Sequence, residues 1–196
     1  MATEKELIKR AKNGEVEAFE ELISTHEKLI YNISYRMAGN PDDAADMAQE
    51  VLIKVFRNIQ KFKGDSKFST WIYRVATNTC LDNVKKMKRH VAFSLDSEVE
   101  TDEGSIGFDP VDTAPTPEEA LISGEMKDSI NDAILKLSPE HRQVIVLVDV
   151  NGISYEDAAK ILECSLGTVK SRMSRARKKL RKILLENREL FEKYNV

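Results

Sequence analysis

Apolar residues recur at intervals of three and four along most of the chain, which is the spacing of one face of an α-helix. One such face runs from Phe19 to Met37, and another runs from Ala44 to Ile59. Between them lies Gly39-Asn40-Pro41, where Asn40 is suited to cap the next helix and Pro41 to occupy its first turn. A third face follows from Ile72 to Thr79, and the opposite, outward stripe of that helix is formed by Arg74, Asn78, Asp82 and Lys85. The pattern predicts helices, and no segment requires a strand.

A stretch without helical periodicity divides the chain. Residues 94–117 contain seven acidic side chains, no basic one and three of the five prolines. This composition favours an extended, self-repelling linker over a packed element. We therefore predict an all-α protein of two small helical domains, residues 1–93 and 118–196, joined by an acidic flexible linker.

The second domain has the pattern of a helix-turn-helix. After a helix over 118–136 and an apolar helix begun by Ser138 and Pro139, a Ser154 cap opens a short helix that ends at Glu163. Ser165 can then cap a final helix that extends through at least Leu184. In that last helix the spacing directs four apolar side chains inward: Val169, Met173, Ala176 and Leu180.

The last helix is strongly basic, although the whole chain has a net charge of −3. Residues 165–182 carry eight Lys or Arg and no acid. Its outward face presents Lys170, Ser171, Ser174 and Arg175, which can reach base edges in a major groove. Arg172, Arg177 and Lys178 are suited to phosphate contacts, which position a protein on DNA without specifying sequence. A solvated basic face, or one that docks an acidic partner, is the alternative.

Several classes of function lack support in the sequence. Cys80 and Cys164 lie far apart without a cysteine–histidine cluster, so we expect buried reduced thiols and no metal site. No nucleophile–base set or phosphate loop is visible, so we expect neither catalysis nor a cofactor. The longest aliphatic run, Val144 to Val148, is too short for a membrane helix. Without a targeting segment, the expectation is a cytoplasmic protein with no membrane insertion.

Two longer motifs carry a resemblance to a known family. DMAQEVLIKVFRNIQKFKGDSKFSTWIYRVATNTCLDNVKK resembles region two of bacterial sigma factors, and LSPEHRQVIVLVDVNGISYEDAAKILECSLGTVKSRMSRARKKL resembles region four. With only a linker between them, the layout is similar to the extracytoplasmic-function group. The resemblance implies a transcription initiation factor that binds core RNA polymerase, directs it to promoter DNA and is controlled by an anti-sigma factor.

The resemblance also implies roles for individual residues. The core-polymerase contact falls on Asp46, Gln49, Glu50 and Phe56, and recognition of the −10 element falls on Lys61, Lys63, Gly64, Asp65, Ser66, Trp71 and Asn78. Recognition of the −35 element falls on the basic helix, at Lys170, Ser171, Ser174, Arg175, Arg172, Arg177 and Lys178. Trp71 can stack on a base or pack in the core, since an aromatic residue at helical spacing fits both. Without the resemblance, the acids and amide of the first set are ordinary exposed polar residues.

A second functional hypothesis stays open on the sequence alone. The chain could be a stand-alone helix-turn-helix regulator whose first domain senses a ligand or dimerises. Such a protein would bind duplex DNA without core polymerase, usually at palindromic sites. Binding to core polymerase, followed by transcription from a bipartite promoter, distinguishes the two hypotheses.

Overall fold

The computed structural model describes residues 2–94 and 117–186, and almost all of the predicted linker lies outside these residues. The N-terminal half contains helices α1 (Glu4–Lys12), α2 (Val16–Ser24), α3 (Glu27–Ala38), α4 (Pro41–Asn58), a 3₁₀ turn (Ile59–Lys61) and α5 (Phe68–Ser94). The C-terminal half contains α6 (Pro117–Leu135), α7 (Pro139–Ile145), a π-helical turn (Val146–Val150), α8 (Tyr155–Ile161) and α9 (Leu166–Glu186). In the described ranges every regular element is helical, which confirms the all-α prediction.

Most of the predicted helix starts are confirmed by their caps. The Asn40 Oδ1 accepts a 2.8 Å hydrogen bond from the Asp43 amide at the start of α4. Ser154 caps α8 and Ser165 caps α9 in the same way, each with a 3.1 Å bond from the amide three residues on. Ser138 precedes α7, but its side chain makes no capping bond.

Two local features differ from the sequence pattern. The apolar face from Phe19 to Met37 belongs to two helices, because the chain turns at Thr25 and His26 between α2 and α3. The first helix, α1, was not predicted. It begins with a capping box in which Thr3 and Glu6 bond each other's backbone amides. Two short amphipathic helices on either side of a turn can share one apolar face. The pattern therefore predicted the face but not the break between the two helices.

Both halves contribute to one connected apolar core. In the N-terminal half, the large fully buried side chains include Leu22, Ile30, Ile33, Met37, Phe68 and Ile72. In the C-terminal half they include Leu137, Ile145, Leu147, Ile161 and Met173. Cys80 is buried as predicted, whereas Cys164 is only half-buried in the turn before α9. The two helices of the helix-turn-helix, α8 and α9, therefore pack on this core mainly through contacts with α7.

The two halves pack against each other, with α5 against α7 and α8 and α3 against α6 and α7. Arg142 of α7 is only 4% exposed. Its guanidinium donates to the main-chain oxygens of Met37 and Leu135, which lie in the last turns of α3 and α6. The negative ends of two helices thus surround one buried cation, a favourable electrostatic arrangement. Since Met37 and Leu135 belong to different halves, this contact fixes one half on the other.

Candidate nucleic-acid interface

The outward face of α9 is the first part of the candidate interface. The predicted base-reading side chains Lys170, Ser171, Ser174 and Arg175 are all exposed. On the opposite face, Val169, Met173 and Ala176 are buried, and Leu180 is half-buried. The periodicity therefore assigned the two faces of this helix correctly. The Ser171 hydroxyl donates to the Thr168 main-chain oxygen at 3.0 Å, so its lone pairs remain available to a donor.

The basic side chains of α9 are not equivalent. The Arg177 guanidinium makes two bonds to the Asp149 carboxylate, at 3.1 and 2.5 Å. These bonds raise the pKa of Arg177 above its already high ordinary value. Arg172 is half-buried, whereas Lys178 is exposed. Of the three predicted phosphate contacts, Arg177 and Lys178 are exposed, but the Arg177 guanidinium is bound by Asp149.

Beside α5, the predicted Gly-Asp-Ser loop surrounds a basic cavity of about 410 Å³. We call it the loop cavity, and its lining includes Lys61, Lys63, Gly64, Asp65, Ser66, Trp71, Arg74, Lys160 and Ile161. The first six are all predicted −10 residues, so the fold brings them together around one space. Lys160 and Ile161 come from α8, so the C-terminal half closes one wall. Four cations against one carboxylate give the cavity a positive potential.

Trp71, for which the sequence allowed either a base contact or a place in the core, packs against other aromatic rings. Its side chain is 5% exposed and stacks on Phe68, with ring centroids 5.6 Å apart. Phe62 packs against both rings, at 5.3 and 5.6 Å. Trp71 is therefore mainly a core residue that also contributes to the wall of the loop cavity. These three packed aromatic rings support the loop of Gly64, Asp65 and Ser66.

Helix α1 fixes the start of this loop. The Lys12 ammonium donates to the main-chain oxygen of Phe62 and lies 5.8 Å from the centre of its ring. The Gln60 side-chain amide donates in return to the main-chain oxygen of Lys12. These contacts hold the loop from its N-terminal side. Gly64 itself has φ of 82°, a left-handed conformation that glycine adopts at little cost.

Asn78 lies outside the loop cavity, further along α5. Its side chain is half-buried, and its Oδ1 accepts a 3.5 Å bond from Nε2 of Gln143 in α7. The same Gln143 nitrogen donates to the Thr77 main-chain oxygen at 3.3 Å. The predicted base-edge residue therefore contacts the other half of the chain. Sequence periodicity had assigned Asn78 to an outward stripe.

The exposed face of α4 contains the predicted polymerase contact. Asp46 and Gln49 are exposed, and Phe56 is 46% exposed with its ring edge-on to Phe19 at 5.0 Å. Glu50 differs because its carboxylate accepts bonds from Lys54 at 2.9 Å and from Asn83 at 2.7 Å. These two hydrogen bonds, that of Lys54 first, hold the pKa of Glu50 below its ordinary value.

Sequence reasoning missed three residues at these surfaces. Ile53 is 43% exposed and continues the stripe of Gln49 and Phe56 along α4. Its signal was present, since an apolar residue lies at helical spacing among polar ones. Arg142 and Gln143 are both buried, at 4% and 2% exposure. Their only signal was a polar pair directly before an apolar run, which does not reveal a partner 65 or more residues away.

Comparison with known proteins identifies the family. Residues 22–90 match the model of sigma-70 region 2, and residues 127–180 match that of sigma-70 region 4. The ECF RNA polymerase sigma factor SigW of Bacillus subtilis is 40% identical over 181 residues, covering 92% of this chain and 96% of the relative. The chain belongs to the extracytoplasmic function (ECF) RNA polymerase sigma factors. This sigma factor is a transcription initiation factor that binds core RNA polymerase and directs it to promoters.

Further relatives agree with this assignment. The sigma-E factor of Escherichia coli strain K12 is 31% identical to this sigma factor and covers 89% of the chain, with 91% of the relative covered. The sigma factor RpoE of Bartonella quintana, solved with the anti-sigma factor NepR, is similar in structure. Its TM-score is 0.65 at 27% identity, over 86% of this chain and 98% of that one. The membership favours the first functional hypothesis over a stand-alone regulator.

Within residues 2–94 and 117–186, no group of three or more His, Cys, Asp or Glu side chains could hold a metal ion. None of the helices in the part of the chain that the structure describes is long and apolar enough to cross a membrane.

Proposed function

We propose that this sigma factor reads a promoter at two separate surfaces, the loop cavity with Asn78 for the −10 element and the outward face of α9 for the −35 element. The observation that carries the proposal is the loop cavity. Its six predicted residues lie around one basic space of about 410 Å³ beside a buried aromatic cluster. Domain boundaries at residues 1–93 and 118–196, with a linker over 94–117, belong to the same proposal.

The loop cavity has the properties that recognition of an unpaired base requires. A base taken out of the stack is held by edge hydrogen bonds and by contact with aromatic or apolar side chains. Gly64 and Ser66 supply backbone and hydroxyl groups, and Trp71 supplies an aromatic wall. Lys61 and Lys63 attract the phosphates on either side. Asn78 offers both an amide donor and a carbonyl acceptor for a second base edge.

The face of α9 is suited to duplex DNA. Lys170 and Arg175 are exposed and can pair with guanine acceptors, and Ser171 and Ser174 are short enough to allow close approach. Arg172 and Lys178 add positive charge toward the phosphates, whereas Arg177 can join them only when its ion pair with Asp149 opens. Base contacts of this kind discriminate by roughly 1–3 kcal/mol each, whereas phosphate contacts act on all sequences alike.

Core polymerase is proposed to bind the exposed stripe of α4. Asp46, Gln49, Glu50 and Phe56 are the predicted contacts, and we add Ile53, which is exposed between them. An apolar centre flanked by polar side chains is the usual composition of a protein interface. Phe56 rests on Phe19, so its ring is held in place before a partner arrives.

Regulation by an anti-sigma factor is proposed from the structural relative. The Bartonella quintana protein, 27% identical to this chain, was solved in complex with the anti-sigma factor NepR. We also propose that the chain has no catalytic activity of its own and acts in the cytoplasm, where RNA polymerase works. Co-purification of an antagonist with the full chain, lost when promoter activity is induced, tests the regulatory part.

Run-off transcription with core polymerase tests the two-surface proposal. Lys170→Ala with Arg175→Ala should lower promoter-specific transcript by about thirtyfold to a thousandfold, if each residue contributes a base contact of roughly 1–2 kcal/mol. Core binding should be unchanged. The matched control is Lys5→Ala with Lys9→Ala, which removes the same charge from the exposed face of α1. An equal loss in the control, or a parallel loss of core affinity, contradicts the assignment.

A further inference from the structure

Helix α1 and the 3₁₀ turn before the Gly-Asp-Ser loop exchange two hydrogen bonds where each of them ends. Lys12 is the last residue of α1, and its main-chain oxygen accepts a bond from the side-chain amide of Gln60. In return, the Lys12 ammonium donates to the main-chain oxygen of Phe62, the residue that follows the turn. Helix ends leave carbonyl oxygens without a partner inside the helix. Each contact therefore satisfies a group that its own segment cannot.

The Lys12 contact falls on the residue where the loop leaves the core. The Phe62 ring is 6% exposed and packs on Phe68 and Trp71, whereas residues 63–67 are all exposed. The Lys12 ammonium also lies 5.8 Å from the centre of the Phe62 ring, within the range of a cation–π contact. One cation therefore contacts both the ring and the main chain of the residue from which the loop departs.

The loop has little support of its own beyond Phe62. On its two sides, the Phe62 amide bonds the Ile59 oxygen at 3.1 Å and the Trp71 amide bonds the Lys67 oxygen at 3.2 Å. Within the described part of the chain, the main chain of residues 63–66 makes no hydrogen bond to another main-chain group. The direction in which these residues leave the core therefore depends on what holds Phe62.

The opposite end of α1 lies near the end of the loop. The Glu4 carboxylate is 3.9 Å from Nε2 of His26, and the His26 ring packs on Phe68, the first residue of α5, with centroids 5.4 Å apart. Between the two ends of α1, Leu7 and Ala11 are buried and hold the helix on the core. The helix therefore reaches both ends of the loop.

We propose that Lys12 is a positioning residue for −10 recognition, which holds the Gly-Asp-Ser loop in the conformation that receives an unpaired base without touching DNA itself. Lys12 is outside the lining of the loop cavity, and α1 precedes residues 22–90, which match sigma-70 region 2. A loop that is ordered before binding loses less conformational entropy on the promoter, so its affinity is higher. The inference rests on the proposed function of the loop cavity.

The test replaces Lys12 by methionine in the full chain. Lys12→Met keeps an unbranched side chain and removes the ammonium. The matched control is Lys9→Met, the same change at an exposed position about one turn earlier on α1. Lys12→Arg is the conservative variant, since a guanidinium retains both the charge and the donors.

Limited digestion with trypsin measures the order of the loop without any DNA. The enzyme cuts after Lys61, Lys63 and Lys67, which are all exposed. Cleavage of a folded segment requires local opening, so loss of a charged hydrogen bond should raise the loop cleavage rate about threefold to tenfold in Lys12→Met. Cleavage within α9 is the internal reference, because general unfolding would raise both rates equally. Loop cleavage at the wild-type rate overturns the inference, as does an equal increase in Lys9→Met.

Transcription with core polymerase gives the functional readout. Over a series of promoter concentrations, Lys12→Met should raise the half-saturating concentration about threefold to tenfold and leave the maximal rate unchanged. Lys12→Arg should restore the wild-type value. Core affinity should not change, because the Lys12 ammonium is bound at Phe62, beyond the end of α4. A lower maximal rate with an unchanged half-saturating concentration contradicts a positioning role.

The reciprocal bond covers the case in which Lys12→Met fails to fold. Gln60 is exposed, and Gln60→Met removes the donor to the Lys12 main-chain oxygen. Loop cleavage should rise about twofold to fivefold, less than for the loss of a charged donor. A wild-type cleavage rate in Gln60→Met contradicts the coupling of α1 to the loop.

A variant inside the loop separates this inference from the proposed function. Lys63→Ala with Ser66→Ala changes the loop cavity but leaves the Lys12 contact in place. If this variant and Lys12→Met both use the promoter normally although Lys12→Met loosens the loop, the −10 assignment of the cavity fails. If the loop variant raises the half-saturating concentration and Lys12→Met does not, the positioning role alone is wrong.

Discussion

The pairing of Arg177 with Asp149 leads to a quantitative prediction about DNA affinity. Arg177 lies on α9 among the proposed phosphate contacts, but its guanidinium is bound in two places by the Asp149 carboxylate. Asp149→Asn removes that carboxylate and frees the guanidinium. Because both side chains are partly exposed, at 53% and 32%, the ion pair itself contributes no more than about 1 kcal/mol to stability. The variant should therefore fold normally.

We expect Asp149→Asn to bind DNA more tightly than wild type, because the freed Arg177 can contact one more phosphate and release its counterion. One added phosphate contact steepens the dependence of log K on log salt by about 0.9, which is roughly a fivefold gain at 0.15 M salt. Fluorescence anisotropy of the full chain with a labelled 20-base-pair duplex, titrated between 50 and 200 mM salt, measures both quantities. The sequence of the duplex is unimportant, since phosphate contacts act on all sequences alike.

A double-mutant comparison distinguishes a freed arginine from a general change in charge. Arg177→Ala should cost little in wild type, because Asp149 already holds the side chain. In the Asp149→Asn background it should abolish the fivefold gain. Glu156→Gln is the matched control, since it neutralises an exposed acid in the same half. The reasoning is refuted if the control gains as much, or if Arg177→Ala alone loses a full phosphate contact.

Two further predictions concern ionisation. Hydrogen bonds from Lys54 and Asn83 hold the pKa of Glu50 below its ordinary value of 4.5. These bonds therefore stabilise the fold above pH 4.5, and their contribution is lost as the pH falls through the lowered pKa of Glu50. Urea unfolding of Glu50→Gln should show a small loss at pH 7 and a flatter decline below pH 4.5 than wild type, and an identical acid decline would contradict this. Burial raises the pKa of the Cys80 thiol to about 11. At pH 8 only about one Cys80 thiol in a thousand is therefore ionised, and the thiolate is the form that reacts. An aromatic disulfide reagent should label Cys164 alone until the protein unfolds. Equal labelling rates for the two cysteines in the native protein would show that the burial argument is wrong.

The sequence determined most of the helices and the faces of the last one. The caps at Asn40, Ser154 and Ser165 and the apolar spacing of α9 are local, because a cap needs only the next turn and a helix face needs only its own residues. The loop residues around Gly64 were identified from a resemblance, and the fold places them around one cavity. The caps and the helix faces depend on neighbours a few residues away, so the chain pattern contains them, whereas the cavity also needs Lys160 and Ile161 of α8.

The tertiary structure alone decided what lies opposite those faces. The stripe of Asn78 was predicted to face outward, and it faces Gln143 of the other half. Arg142 lies between two helix ends that the pattern could not pair with it. Trp71 fitted either a base or the core until its aromatic neighbours placed it in the core. Periodicity shows which side of a helix is polar, but a polar side can meet either water or polar groups from a distant segment, and only the packing of the halves distinguishes the two.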